Sequence, residues 1–462
     1  MPFYNLVFLY LTLATLQYTE AQAIRDSAPN FVIIYSDDQR YDALGCRTYN
    51  TAITPTLDSL CASGMYFENA FVTLSICSPS RAALLTGRYG SANGVTTFGK
   101  VHLNQGERTF AQLLKALGYQ TGLVGKWHLA DDPKSLGFDF ARYFFSNGPW
   151  YNRTVIEEGK ENITEGFIED YNAKKAIEFL EKSQSTKAPY LLFYCPQLPH
   201  LDNQFNWDVT NATLARYNDR KVSVPKSWPD ENLEGKPEYL LSGRHRQQAL
   251  SYGYEYPDTL LQQTKRYYAA ITEMDAAMGQ MLAKVRELPN ADNTYIIFMS
   301  DNGWFIGDHL FTSKVLAYEE SIRVPLIING PGIKAGTNQD LVLNIDILPT
   351  LLDIVKEKKP SRLHGKSLLT ALRQKKSSEK RAHIYYQAPT PQLGSYPLAA
   401  LRTDRYKYIE TYSETNTTEI VFRELYDLKT DPYELSNLIN DSAYDQLVQQ
   451  LQNTLQQEKQ HY

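Results

Sequence analysis

Three apolar runs, each breaking off into carboxylate, amide or imidazole side chains, constrain the fold of this chain more than any other feature. Phe31-Val32-Ile33-Ile34-Tyr35 runs into Ser36-Asp37-Asp38, and Tyr190-Leu191-Leu192-Phe193-Tyr194 leads towards Pro199-His200. Tyr295-Ile296-Ile297-Phe298-Met299 runs into Ser300-Asp301-Asn302-Gly303. A strand that is apolar at every position is buried on both faces, which indicates a parallel sheet covered on each side by helices. Helical patterns at residues 109–117, 171–180 and 260–286 supply that cover. Val324-Pro325-Leu326-Ile327-Ile328 adds a strand before the Gly330-Pro331-Gly332 turn. In such folds ligands gather at the carboxyl ends of strands, where the polar residues lie.

The rest of the chain sets the boundaries of that reading. Its 462 residues, 43% hydrophobic and 21% charged, describe an ordinary globular protein long enough for one large and one smaller domain. A net charge of −5 argues against nucleic acid as the main partner. The apolar run from Leu6 to Leu16, followed by Ala21-Gln22-Ala23, reads as a signal peptide over residues 1–23, with Ile24 as the mature start. No later run is long enough for a membrane span, so the expected product is an exported protein, periplasmic or secreted. A catalytic domain is expected over 24–355, and beyond it a smaller antiparallel subdomain over 356–462. That subdomain has Tyr-rich extended segments at 383–386 and 398–412 and a Gln-rich helix around Leu447, Leu451 and Leu455. Residues 201–260 read as a long loop near the active face. The fold class is α/β: a central mixed, mostly parallel sheet sandwiched by helices, with a small antiparallel sheet at the C-terminal end.

Cys77-Ser78-Pro79-Ser80-Arg81, continued by Ala82-Ala83-Leu84-Leu85-Thr86-Gly87-Arg88, sets a thiol at the mouth of a helix. Ser78 suits the cap, Pro79 the first helical position and Gly87 the stop. The thiol can be a nucleophile, a metal ligand, a substrate for modification or buried filler. A cysteine-phosphatase loop is excluded, because it needs Arg six positions after the thiol, where Ala83 stands. The other cysteines are Cys46, Cys61 and Cys195, so at most one disulfide remains if Cys77 is used in chemistry. Asp37, Asp38, Asp301 and Asn302 form an all-oxygen set that favours Ca²⁺ or Mg²⁺ over Zn²⁺. Lys126 and His128, in Gly125-Lys126-Trp127-His128, are expected to project the same way from an extended segment. Lys314 follows Asp301 by about one loop, with His309 between them.

These residues resemble the signatures of type I sulfatases: the Cys77–Arg81 run with Leu85-Thr86-Gly87-Arg88, and Gly118 through His128. Ser300-Asp301-Asn302-Gly303, Gly307-Asp308-His309, Glu319 through Pro325, Leu425-Tyr426-Asp427-Leu428 and Asp431-Pro432 are similar too, so the likeness spans residues 30–438. It implies an alkaline-phosphatase-like fold and a Cys77 converted to Cα-formylglycine by a maturation enzyme. It also implies one Ca²⁺ held by Asp37, Asp38, Asp301, Asn302 and the modified residue 77. Around the sulfate it places Arg81, Lys126, His128, His200 and Lys314, with a gem-diol attacking sulfur, His200 as acid and His128 as base. Asn302 stands where many members carry Asp-His. The general look is similar to exported bacterial polysaccharide sulfatases, which implies an exo-acting enzyme on a sulfated galactan such as carrageenan, with galactose 4-sulfate as the expected unit. The rivals are a phosphodiesterase or phosphonate monoester hydrolase of the same superfamily and an inactive sulfated-glycan-binding relative. Trp150, Tyr151, Trp207, Trp228 and Trp304 are candidates for stacking on sugars, and Arg244, His245 and Arg246 for reading further sulfates.

Overall fold

The computed structural model describes residues 28–47, 51–374 and 380–462; the expected signal peptide and its cleavage site lie outside the described residues. In chain order the strands are β1 (Asn30–Ser36), β2 (Met65–Phe71), β3 (Gln120–Lys126), β4 (Phe140–Phe144), β5 (Thr154–Glu157), β6 (Lys160–Ile163), β7 (Tyr190–Cys195) and β8 (Thr294–Ser300). They continue as β9 (Phe305–Ile306), β10 (Thr312–Ser313), β11 (Leu326–Asn329), β12 (Gly336–Leu343), β13 (His383–Ala388), β14 (Leu398–Thr403), β15 (Tyr406–Tyr412) and β16 (Ile420–Asp427). The main sheet has the order β12-β2-β11-β8-β1-β7-β3-β4-β5-β6. Its centre is parallel, with β1 between β7 and β8 and β3 between β7 and β4. β11 runs antiparallel to both its neighbours, and β4-β5-β6 end the sheet as an antiparallel meander.

The two faces of β1 explain its unbroken apolar sequence. Val32 and Ile34 pack with helices Ile168–Ser183 and Pro257–Glu287, while Phe31, Ile33 and Tyr35 pack with helices Cys77–Thr86 and Ile347–Ile354. Burying each large apolar side chain of this kind contributes roughly 1.5–3 kcal/mol. We label these helices α1 (Cys77–Thr86), α2 (Ile168–Ser183), α3 (Pro257–Glu287) and α4 (Ile347–Ile354), and the C-terminal helix α5 (Asp445–His461). All ten residues of α1 are buried, because it lies between the main sheet and the segments that carry the small sheet. That small sheet, β13-β14-β15-β16, is antiparallel throughout, and Leu451 and Leu455 of α5 pack against it.

The helices at 168–183 and 257–287 run a few residues past their sequence patterns. Residues 398–412 form two strands, because Thr403 Oγ1 accepts from the Arg405 and Tyr406 amides at 3.3 and 2.8 Å and reverses the chain. Residues 201–260 hold three short helices, Asn211–Ala215, Tyr239–Ser242 and Arg244–Ser251, between turns. Among the described residues no helix is long and apolar enough to cross a membrane.

Candidate active site

Strand register builds the site. Ser36 and Ser300 are partners in the β1–β8 ladder, so the residues that follow them, Asp37-Asp38 and Asp301-Asn302, leave the sheet side by side. The Asp301 amide donates to Ser36 O at 3.0 Å, the Asp38 amide to Asp301 Oδ1 at 3.2 Å, and Asn302 Nδ2 to Asp38 Oδ1 at 2.6 Å. Asp38 sits in the left-handed region at φ 63°. Tyr267 of α3 supports that turn, donating to Asp38 O and accepting from the Arg40 amide, both at 2.9 Å.

Helix α1 brings in the thiol. It begins at Cys77 with Ile76 as cap and no side-chain capping bond, two residues earlier than the expected Ser78 cap and Pro79 start. Gly87, at φ 66°, ends it as expected. Cys77 is 3% exposed. Its Sγ lies 3.4 Å from Asp37 Oδ1, 3.4 Å from Lys126 Nζ and 3.0 Å from Lys314 Nζ. Lys126 pairs with Asp37 and Lys314 with Asp38. Lys314 Nζ also lies 3.3 Å from Asn302 Oδ1. Arg81, one turn along the helix, donates to Asp301 Oδ2 and to the Lys126 carbonyl, both at 2.9 Å. Its guanidinium therefore braces the ends of β3 and β8.

Burial opposes every charge here, and neighbours decide the outcome. The positive neighbours of Asp37, Lys126 foremost, together outweigh burial and hold its carboxyl well below the usual range. At Asp301, burial and the Asp37 charge prevail over Arg81 and push the carboxyl up to about 7. Burial and Asp37 likewise push the Cys77 thiol up to about 12. For Lys314 the surrounding anions, Asp38 first, overcome burial and raise it.

Asp37, Asp38, Cys77 and His200 each offer one ligand atom, all within 4.8 Å of one another, and Asp301 and Asn302 are hydrogen-bonded to Asp38. Asp38 Oδ2 is buried with no hydrogen bond, 3.5 Å from His200 Nε2. A buried carboxylate oxygen without a donor, next to a second acid forced towards neutrality, fits a hard divalent cation held by oxygens. His200 joins this group, which sequence reasoning placed only beside the sulfate.

The imidazoles are placed differently from each other. His200 Nδ1 lies 2.8 Å from Leu201 O, an acceptor only, so Nδ1 carries the hydrogen and Nε2 faces Asp38. Burial lowers the His200 pKa, with Asp38 and Asp37 opposing. His128 does not continue β3 in extended form, its φ of 56° turning the chain there, yet it still lines the cavity beside Cys77 and Lys314. Its Nε2 lies 3.2 Å from Ser146 Oγ, and burial followed by the Lys126 cation holds its pKa well below the ordinary value.

A cavity of about 230 Å³ opens over these groups, lined by Cys77, His128, His200, Trp304 and Lys314, with the exposed residues Phe98, Phe205 and Arg244. Of the three basic residues at 244–246, only Arg244 reaches it. His245 is buried against the Lys314 carbonyl at 2.7 Å, and Arg246 donates to the Asp230 and Glu231 carbonyls. His309 is buried against Asp230 at 2.7 Å. Trp150 donates to His200 O at 3.3 Å and Trp207 to Pro199 O at 2.7 Å, so both brace the His200 segment. Together with Tyr151 they line a separate cavity of about 490 Å³. Trp228 donates to Tyr254 O at 2.8 Å, a packing role. Sequence reasoning missed Ser146, Phe98 and Phe205. Ser146 follows the end of β4 and obeys the strand-end rule, whereas the two phenylalanines sit in loops without periodicity.

Residues 29–357 match the sulfatase family, and residues 307–461 match the family described as N-sulphoglucosamine sulphohydrolase, C-terminal. An N-acetylglucosamine-6-O-sulfatase of Bacteroides thetaiotaomicron is 27% identical over 94% of this chain and 87% of that protein. An ulvan-active sulfatase of Formosa agariphila is 29% identical over 94% of this chain and 81% of that protein. A solved structure in complex with its substrate D-glucosamine-2-N,6-O-disulfate superposes with a TM-score of 0.84 at 27% identity, over 94% of this chain and 98% of that one. With the family match covering most of its length and the strand-end site intact, this chain belongs to the sulfatase family.

Proposed function

We propose that this protein hydrolyses sulfate esters on a sulfated carbohydrate, with a glucosamine 6-O-sulfate unit as the leading substrate. The observation that carries the reading is Cys77 seated between two lysine ammonium groups and a carboxylate at the wall of a cavity. A thiol pushed up to about 12 stays protonated at neutral pH and is a weak nucleophile. That supports a Cys77 that acts after conversion to Cα-formylglycine by a maturation enzyme. Asp37, Asp38, Asp301 and Asn302, with residue 77, would hold Ca²⁺; the ion and the hydrated aldehyde supply an acidified oxygen nucleophile.

The chain's own residues do the rest. Lys126 and Lys314, both buried, bring two fixed positive charges to the sulfuryl oxygens, where they act more strongly than in solution. Arg81 keeps Asp301 and β3 in register with them. His200, its Nδ1 hydrogen fixed on Leu201 O, presents Nε2 to the leaving sugar oxygen as the general acid, and the negative charge of a bound ester favours the protonated ring. His128, kept neutral by burial and Lys126, is the base. Arg244, with no ion pair among the described residues, reads a second anionic substituent on the sugar.

Sulfate release from defined oligosaccharides tests this. Release from glucosamine 6-O-sulfate is expected; release only from galactose 4-sulfate of carrageenan type would move the substrate to the galactan reading. Turnover of phosphodiesters without any sulfate release would replace the proposal with the phosphodiesterase or phosphonate hydrolase reading, and no turnover by aldehyde-bearing protein with the glycan-binding one. Mass spectrometry of the Cys77 peptide is expected to show the aldehyde. Recovery of the protein outside the cytoplasm with Ile24 at its N-terminus tests the proposed export, periplasmic or secreted.

A further inference from the structure

We propose that Cys46 and Cys61 form a disulfide, which ties the segment leaving the Asp37-Asp38 turn to helix Pro55–Ser63. Their Sγ atoms lie 2.8 Å apart, so a displacement of under ~1 Å brings them to the bond length of about 2.05 Å. The surrounding hydrogen bonds hold that approach independently of the sulfurs. The Cys46 amide donates to Asp58 Oδ1 at 2.9 Å, Thr54 Oγ1 donates to the same oxygen at 2.9 Å, and the Gly45 amide donates to Thr54 Oγ1 at 2.8 Å. Gly45 is needed for this closeness, since a Cβ there would stand 2.3 Å from Asp58 Oδ2.

Exposure sorts the four thiols. Cys46 is exposed and Cys61 partly so, whereas Cys77 and Cys195 are 3% and 0% exposed. A disulfide-bearing carrier, small molecule or protein, reaches the first pair only, and Cys77 is left unpaired. The Cys46 thiolate attacks one sulfur of the carrier disulfide and releases the other as thiolate. The Cys61 thiolate then attacks Sγ of residue 46 and releases the second carrier thiol. Two protein thiols are oxidised to one disulfide, the carrier disulfide is reduced to two thiols, and the two protons from the cysteines pass to them. The loop closed has a sequence separation of 15, so the bond restricts the unfolded chain and stabilises the fold beside the carboxylate site.

Incubation of the folded protein with oxidised glutathione, acid quench, alkylation under denaturing conditions and peptide mapping tests the inference. A peptide pair linked through residues 46 and 61 is expected, with Cys195 alkylated and the link released by reductant. Cys61→Ser should accumulate a glutathione adduct at Cys46. The oxidised wild type should melt about 3–6 °C above the reduced form, and Cys46→Ser/Cys61→Ser should show no response to reductant. Alkylation of both cysteines, or glutathione adducts without an internal link, would overturn the proposal, as would a link joining either one to Cys195.

Discussion

The Arg81 guanidinium donates to Asp301 Oδ2 at 2.9 Å with both side chains sealed from solvent, and its other arm holds the Lys126 carbonyl. One residue of α1 thus fastens two strand ends to the helix that carries Cys77. Removing one partner of a buried pair leaves an uncompensated charge. Arg81→Ala is therefore expected to lose about 3–5 kcal/mol of stability in chemical denaturation. Arg81→Lys keeps the charge without the planar fork and should recover part of that while kcat/KM stays down by about 100-fold. An alanine variant with wild-type stability and turnover would remove the bracing role.

His200 faces Asp38 through Nε2 because Leu201 O holds Nδ1. A general acid matters in proportion to how poorly the leaving group departs. His200→Ala should slow sugar sulfates by about 10²–10⁴-fold and an activated aryl sulfate far less. Equal losses on the two substrates would assign His200 a structural or ligating role instead.

The strand-end rule made much of the site readable from sequence. Asp37, Asp38, Asp301, Asn302 and Lys126 lie at or just past the ends of β1, β8 and β3, where two-faced burial stops and polar atoms become tolerable. Other parts depended on tertiary contacts that no local pattern carries. The left-handed turn at His128 interrupts the extended segment expected there, and the Arg244-His245-Arg246 cluster divides into one cavity-facing and two supporting residues. The start of α1 at Cys77 was obscured because its cap, Ile76, makes no side-chain bond and resembles any strand residue.

Arg244 shares the cavity with Cys77 and Lys314 and pairs with no carboxylate among the described residues. A surface cation of this kind favours a doubly anionic substrate through binding and not through the chemical step. Arg244→Ala should raise KM for glucosamine 2-N,6-O-disulfate by about 10-fold, a loss of roughly 1.4 kcal/mol, with kcat and the monosulfated sugar unaffected. A fall in kcat on both sugars would contradict this assignment.

Chelation probes the carboxylate cluster. Asp38 Oδ2 has no hydrogen-bond donor, and burial with the Asp37 charge pushes the Asp301 carboxyl up to about 7 despite its Arg81 partner. Treatment with EGTA is expected to lower both Tm and turnover, and Ca²⁺ to restore both. Asp301→Asn should bind Ca²⁺ at least about 10-fold more weakly by calorimetry. Undiminished Tm and activity after exhaustive chelation would dissociate the cluster from metal.

Two histidines away from the reacting atoms should contribute to the acid unfolding of this protein. Burial holds His245 and His309 down to about 4; Arg244 adds to the effect at the first, and Lys236 and Lys407 at the second, where Asp230 opposes it. His245 donates through Nε2 to the Lys314 carbonyl and His309 through Nδ1 to Asp230, and the remaining nitrogen of each ring is buried without a partner. A second proton on either ring would have no acceptor. Because the folded pKa lies below the unfolded value of about 6.5, the stability from each ring is fully present above that value. It is lost as pH falls through about 4, by up to roughly 3 kcal/mol each. The urea midpoint should therefore be flat near pH 7–8 and fall steeply between pH 6 and 4, and His245→Gln/His309→Gln should flatten the decline. A variant that retains the full wild-type slope would place the acid sensitivity in other groups.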